Sequence, residues 1–237
     1  MPNRYWYVIL TYIIMQISGL LFVPLLYFTL PLSEQEAIVS WTITSFILGL
    51  AVILLLMRPD MKTPLHRDAS SAGMMVLWVV VGLFMAYFAQ GIAVTIETNV
   101  FGIEPGSENT QTIVDISRSA PIFMIVPALI APIMEELIFR KIIFGSIYKR
   151  TNFFIAAILS SIIFGIIHLE PVHILIYTAM GFVFAFLYVQ TKRIIVPIIV
   201  HMLMNSIVVI FQYMLDPEKI ERMIKQYEQM QMILIGG

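Results

Sequence analysis

The sequence predicts an all-α protein, a polytopic transmembrane bundle of about seven to eight helices. Three observations lead there. Of its 237 residues, 59% are hydrophobic and only 12% charged, where a soluble domain carries about 25% charged residues. Mean hydropathy is +0.91, and the apolar residues gather into long runs separated by short polar segments. The net charge of -1 leaves no basic surface for a phosphate backbone, which excludes nucleic acid as a partner. The absence of cysteine removes disulfides, thiolate nucleophiles and Cys-ligated metal. Chemistry is left to His, Asp, Glu and hydroxyls.

Each span is drawn from the need for roughly 20 apolar residues. Tyr5 to Leu30 is too long for a signal-peptide core and has no small-x-small cleavage site, so it reads as a retained anchor. Ala37 to Met57 and Ala72 to Val94 follow, and these first three spans carry Gln16 and Gln90 but no charge at their centres. Glu97 to Ser119, with Gly102, Pro105-Gly106-Ser107 and Asn109, reads as a polar, turn-rich boundary. Beyond it come Pro121 to Ile143, Phe153 to Leu169, Val172 to Val189 and Ile194 to Leu215. The expected organisation is therefore a scaffold over 1–119, a four-helix working core over 120–215 and a tail over 216–237. In the tail, Asp216-Pro217-Glu218 opens an amphipathic helix suited to the membrane surface.

Charge fixes an orientation. Arg4, the segment Arg58 to Arg67, Lys149-Arg150 and Lys192-Arg193 alternate with the acidic loops at Glu34/Glu36, Glu97 to Asp115 and Glu170. Positive loops stay cytoplasmic, so the N-terminus is expected inside a bacterial cell membrane and the end of the last span outside.

The stretch Met134-Glu135-Glu136-Leu137-Ile138-Phe139-Arg140 sets three charges in a run otherwise apolar except for Lys141. An ionised side chain there costs roughly 2.5 to 3.5 kcal/mol on insertion scales, so two adjacent carboxylates need a reason. Glu136 and Arg140, four apart, share a helix face, while Glu135 is rotated about 100° away. Arg140 can neutralise Glu136 and leave Glu135 free. A purely structural ion-pair cluster is the competing reading. In the next run, Phe164-Gly165-Ile166-Ile167-His168 places His168 opposite Glu135 across the turn at Thr151-Asn152, each about 24 Å of helix rise from it. Ala157, Ser161 and Gly165 form a small-residue stripe that admits a neighbouring helix. The last run carries His201 and Asn205 on one face, two donors aimed at one place. Pro132 and Pro197 precede Glu135 and His201, each depriving an upstream carbonyl of its helical partner.

Apolar surroundings make a carboxylate a stronger base, and an imidazole beside it can share a water proton. Glu135 with His168 would activate water, and His201 with Asn205 would meet a tetrahedral oxyanion. This is amide hydrolysis without a covalent intermediate, requiring no cofactor. The alternative holds Zn2+ on Glu135, His168 and His201, although no His-Glu-x-x-His pair is present. Glu170 and His173 read as ordinary loop residues in preference to ligands, Tyr177 and Tyr213 as aromatic-belt residues in preference to substrate contacts, and the 16 methionines as packing.

Glu135-Glu136-x-x-x-Arg140, Phe164-x-x-x-His168 and His201-x-x-x-Asn205, in this order on successive apolar helices, resemble the three motifs of the intramembrane proteases related to type II CAAX prenyl endopeptidases, the CPBP or Abi family. The likeness covers roughly Pro121 to Gln212. It implies a proteolytic helical core in which Glu135 and His168 activate water and His201 and Asn205 stabilise the oxyanion, supported by Glu136, Arg140 and Phe164. It also implies membrane lipid and a peptide or lipidated protein as partners. Eukaryotic relatives trim prenylated proteins, and bacterial relatives are linked to bacteriocin immunity, peptide maturation and protein sorting. A non-catalytic membrane scaffold or bacteriocin-immunity protein is the alternative function. A proton-coupled transporter is third, without the paired inverted repeats that such proteins show.

Overall fold

A computed structural model describes residues 1–64 and 66–215. The tail helix expected over 216–237 lies outside the described residues. Within them the protein is a helical bundle without strands. Helix α1 (Asn3–Thr29) and helix α2 (Glu34–Met61) form an antiparallel pair. Ser33 starts α2 through a capping box with Glu36, each side chain serving the other residue's backbone N–H. Helix α3 (Ala72–Phe101) starts at Ser71 and ends at Gly102, whose φ of 67° places it in the left-handed region open to glycine. Helix α4 (Glu108–Ser119) follows, then α5 (Pro121–Tyr148), α6 (Phe153–Ile166), α7 (Ile174–Thr191) and α8 (Ile195–Met214). A 3-10 turn at Pro171–His173 leads into α7. Helices α1, α2, α3, α5, α7 with its leading turn, and α8 are long and apolar enough to cross a membrane. Helix α6 is apolar but only 14 residues long.

Three stretches depart from the sequence expectation. Helix α3 continues past Val94 to Phe101, so Glu97 sits inside a helix and is only 2% exposed. The supposed loop from Glu108 to Ser119 is helical, because Ser107 accepts the N–H of Thr110 as an N-cap and Val114 and Ser117 face inward. Helix α6 stops at Ile166 rather than Leu169, and Leu169 closes the turn at φ 56°. Pro197 does not interrupt α8, which runs unbroken over Ile195–Met214. It lies in the first helical turn, where a missing N–H costs little, and the Arg193 carbonyl receives the N–H of Val196 instead.

Helix α5 is the axis of the bundle. In its apolar window 67% of residues are buried, against 11% in α3. Tyr5, Tyr12, Met15, Ile53 and Met57 of α1 and α2 pack against Met134, Ile138 and Phe139 of α5. On the opposite side α3, α7 and α8 share a core built on Ala86, Phe184, Leu187 and Val200. Helices α6 and α7 lie close because Gly181 faces Ser161, whose Oγ would be 2.8 Å from any added Cβ.

Side-chain links separate two ends. At one, Arg4 pairs with Asp60 at 2.9 Å and Lys192 with Asp68 at 2.9 Å. A hydrogen bond from Lys192 and its charge hold the Asp68 carboxyl below its usual range. At the other, Gln35 meets Ser119, Ser107 meets Glu170, and Arg118 donates to the Leu215 carbonyl at 2.8 Å.

Candidate active site

The backbone of α5 changes pitch around the paired glutamates. It runs as a 3-10 turn at Pro121–Met124, a π turn at Val126–Ile130, α-helix at Ala131–Glu136, a second π segment at Leu137–Phe144 and a final α turn at Gly145–Tyr148. Such bulges recur at functional sites because they re-aim side chains. In the first π segment the Ala131 N–H bonds to the Val126 carbonyl. In that register the Pro127 carbonyl would take the N–H of residue 132, which is proline and has none. Asn205 of α8 supplies the donor, its Nδ2 lying 3.0 Å from the Pro127 carbonyl.

Glu136 and Arg140 are both 0% exposed, with Arg140 Nε 3.1 Å from Glu136 Oε2. The contact is an ion pair without hydrogen-bond alignment, and no Arg140 nitrogen has a hydrogen-bond partner among the described residues. Two aromatic faces compensate. The guanidinium carbon lies 4.4 Å from the centre of the Phe164 ring and 5.2 Å from that of Phe184. The other oxygen of Glu136 accepts from His201 Nδ1 at 3.0 Å. That bond turns His201 Nε2 toward Glu135, whose Oε2 is 3.7 Å away. Glu135 itself is 12% exposed, so of the two carboxylates it is the accessible one.

His168, just past the end of α6, donates from Nδ1 to the Phe164 carbonyl at 2.7 Å and so presents Nε2 to the interior. Its ring stacks on Tyr177 with centroids 4.0 Å apart and planes at 23°. Phe164 lies between the two histidines, edge-on to His168 at 4.6 Å and to His201 at 5.9 Å. His168, His201, Asn205 and Phe164 all line one cavity of about 420 Å³. Among the described residues no three or more His, Asp or Glu side chains are grouped so as to hold a metal ion.

Several residues at the cavity escaped the reading of the sequence. Tyr177 is not a belt residue: it stacks on His168 and donates to Glu170 Oε2. Glu170 is no solvated loop carboxylate, since it also accepts from Ser107 Oγ at 2.9 Å and the Asn109 N–H at 2.8 Å. Burial pushes its carboxyl up, but the bonds from Asn109, Tyr177 and Ser107 together outweigh that and hold it below its ordinary value. His173 is buried and bonded through Nδ1 to Glu97 Oε2 at 2.8 Å. The closeness of Glu170, His173 and Tyr177 to His168 in the chain was the available signal. Gln90 of α3 also lines the cavity, and Tyr12 of α1, which accepts from Gln16 at 3.2 Å, approaches Glu135. Gln90 is visible in sequence as a polar residue inside an apolar span, whereas Tyr12 carries no local signal.

Comparison with known proteins agrees with these motifs. The family described as type II CAAX prenyl endopeptidase, Rce1-like, matches residues 117–207. The putative membrane peptidase YdiL of Bacillus subtilis is 47% identical over 245 residues, covering 100% of this chain and 99% of the relative. The membrane-embedded CAAX protease MroQ of Staphylococcus aureus is 32% identical over 239 residues, covering 94% and 96%. No solved structure matches. The chain therefore belongs to the Rce1-like, type II CAAX prenyl endopeptidase family, as a multi-pass membrane peptidase.

Proposed function

We propose that the chain is an intramembrane endopeptidase that hydrolyses a peptide or lipidated protein with a carboxylate-activated water and no metal. The observation that carries this reading is the meeting of Glu135 and His201 Nε2 at 3.7 Å, beside a cavity walled by His168 and Asn205. That separation exceeds a direct hydrogen bond and lets one water contact both groups. Glu135 takes a proton from this water as its oxygen bonds to the scissile carbonyl carbon, with His168 Nε2 as a second acceptor. The resulting oxyanion is met by the remaining N–H of Asn205 and by His201 in its protonated form, in which both ring nitrogens donate. The carbon–nitrogen bond then breaks as the proton held by Glu135 passes to the departing amine. Glu136 and Arg140 act through His201 as positioning residues.

The charge pattern supports an N-terminus on the cytoplasmic side, because Arg4, Arg58, Lys149, Arg150, Lys192 and Arg193 cluster at one end of the bundle. To test the chemistry, purified protein in detergent is given apolar and lipidated peptides after exhaustive chelation. Wild type is expected to cleave, and Glu135→Gln to lose about 10² or more in rate. Equal rates for both proteins would remove Glu135 from the mechanism. Activity restored only by zinc would replace the metal-free reading.

A further inference from the structure

The cavity leaves the site in one direction. Along α8 its wall follows His201, Asn205, Val208 and Gln212, about 16 Å of helix rise. Beside it α6 has only 14 residues, about 21 Å of rise against a hydrocarbon core of about 30 Å. Residues 106–107, 109–111 and 113, around and within α4, line the cavity as well, together with Glu170 and His173. No lining residue belongs to the end that holds Arg4, Arg58, Lys149, Arg150, Lys192 and Arg193. Basic loops remain in the cytoplasm, so the cavity mouth faces the other compartment.

Resting on the protease reading, we propose that the site is served from the extracytoplasmic side. Its substrate class is an apolar peptide segment delivered through or along the outer leaflet, not a chain end presented from the cytosol. A groove of about 16 Å holds about five extended residues at 3.3 Å each. Val94, Ile176, Met180 and Met204 give its walls an apolar lining, while Gln90 and Gln212 offer amides to the backbone of the segment.

Two measurements on the full chain decide the matter. In the first, right-side-out and inverted bacterial membrane vesicles holding the protein receive quenched apolar peptides with a charged, membrane-impermeant tag. Glu135→Gln vesicles are the control. Cleavage at least tenfold faster by right-side-out vesicles is expected, with detergent abolishing the difference. Faster cleavage by inverted vesicles overturns the inference and leaves the protease reading standing. No cleavage even in detergent overturns the protease reading, and the second measurement then decides the direction of the mouth alone. Because the chain has no cysteine, Gln212→Cys and Thr151→Cys each introduce one thiol for an impermeant maleimide. Gln212→Cys should label in intact cells and Thr151→Cys only after permeabilisation. The reverse pattern overturns the inference.

Discussion

Phe164 matters for what it touches. One buried ring contacts His168 and His201 on its edges and offers a face to the Arg140 guanidinium at 4.4 Å. Arg140 in turn neutralises Glu136, which orients His201. The charge pair is fully buried, so removing one partner leaves the other uncompensated, at a cost of about 3–5 kcal/mol. Glu136→Gln should therefore lower thermal stability in detergent by that order while still accepting from His201. Joined with Arg140→Met, it should recover much of the loss, because an apolar side chain then replaces the stranded cation. A double variant no more stable than Glu136→Gln would mean that the two residues do not stabilise each other. The four-residue spacing of this pair made it legible in sequence. The Tyr177 stack on His168 was not, since a tyrosine near a span end looks the same whether it faces lipid or a site.

In α5 the irregular pitch and the prolines act together. Pro132 withholds an N–H from the Pro127 carbonyl, and Asn205 replaces it. Pro132→Ala would restore a backbone donor and improve helix propensity by up to about 3 kcal/mol. The expected result is an equal or higher melting temperature with slower turnover, because Asn205 loses its anchor. Unchanged turnover would show that Asn205 is held by other means. Helix α4 depends on a different lock. Its N-terminus is tied to Glu170, whose folded-state carboxyl is held below its ordinary value of 4.5. A depressed carboxyl contributes stability that is complete above 4.5 and lost as pH falls through the lower folded value. Melting of wild type and Glu170→Gln should thus differ at pH 7 and converge in acid; a difference unchanged at pH 3 would exclude the carboxylate as the source. Of the irregular pitch, sequence signalled only the break at Pro132; the second π segment, Leu137–Phe144, holds no proline and gave no warning. Sequence patterns misread α4 as well, where Pro105-Gly106 drew attention from the Ser107 cap just after it.

At the scale of the whole molecule, the apolar runs and the alternation of charged loops were readable because membrane partition depends on local composition. Glu135, Glu136 and Arg140 stood out for the same reason, being costly where they are. What could not be read was which helices touch. Gln90 reaches the cavity from α3, which packs on α7 and α8, and Tyr12 approaches Glu135 from α1, which packs on α5. The brevity of α6 has its own bearing on the surrounding lipid. With 14 residues it falls about 9 Å short of an average acyl layer, and such a mismatch is met by local thinning of the bilayer at a fraction of a kcal/mol per Å. Thinning beside α6 would draw interfacial water toward the depth of Glu135, so acyl-chain length becomes a variable to hold fixed whenever hydrolysis rates are compared between membranes.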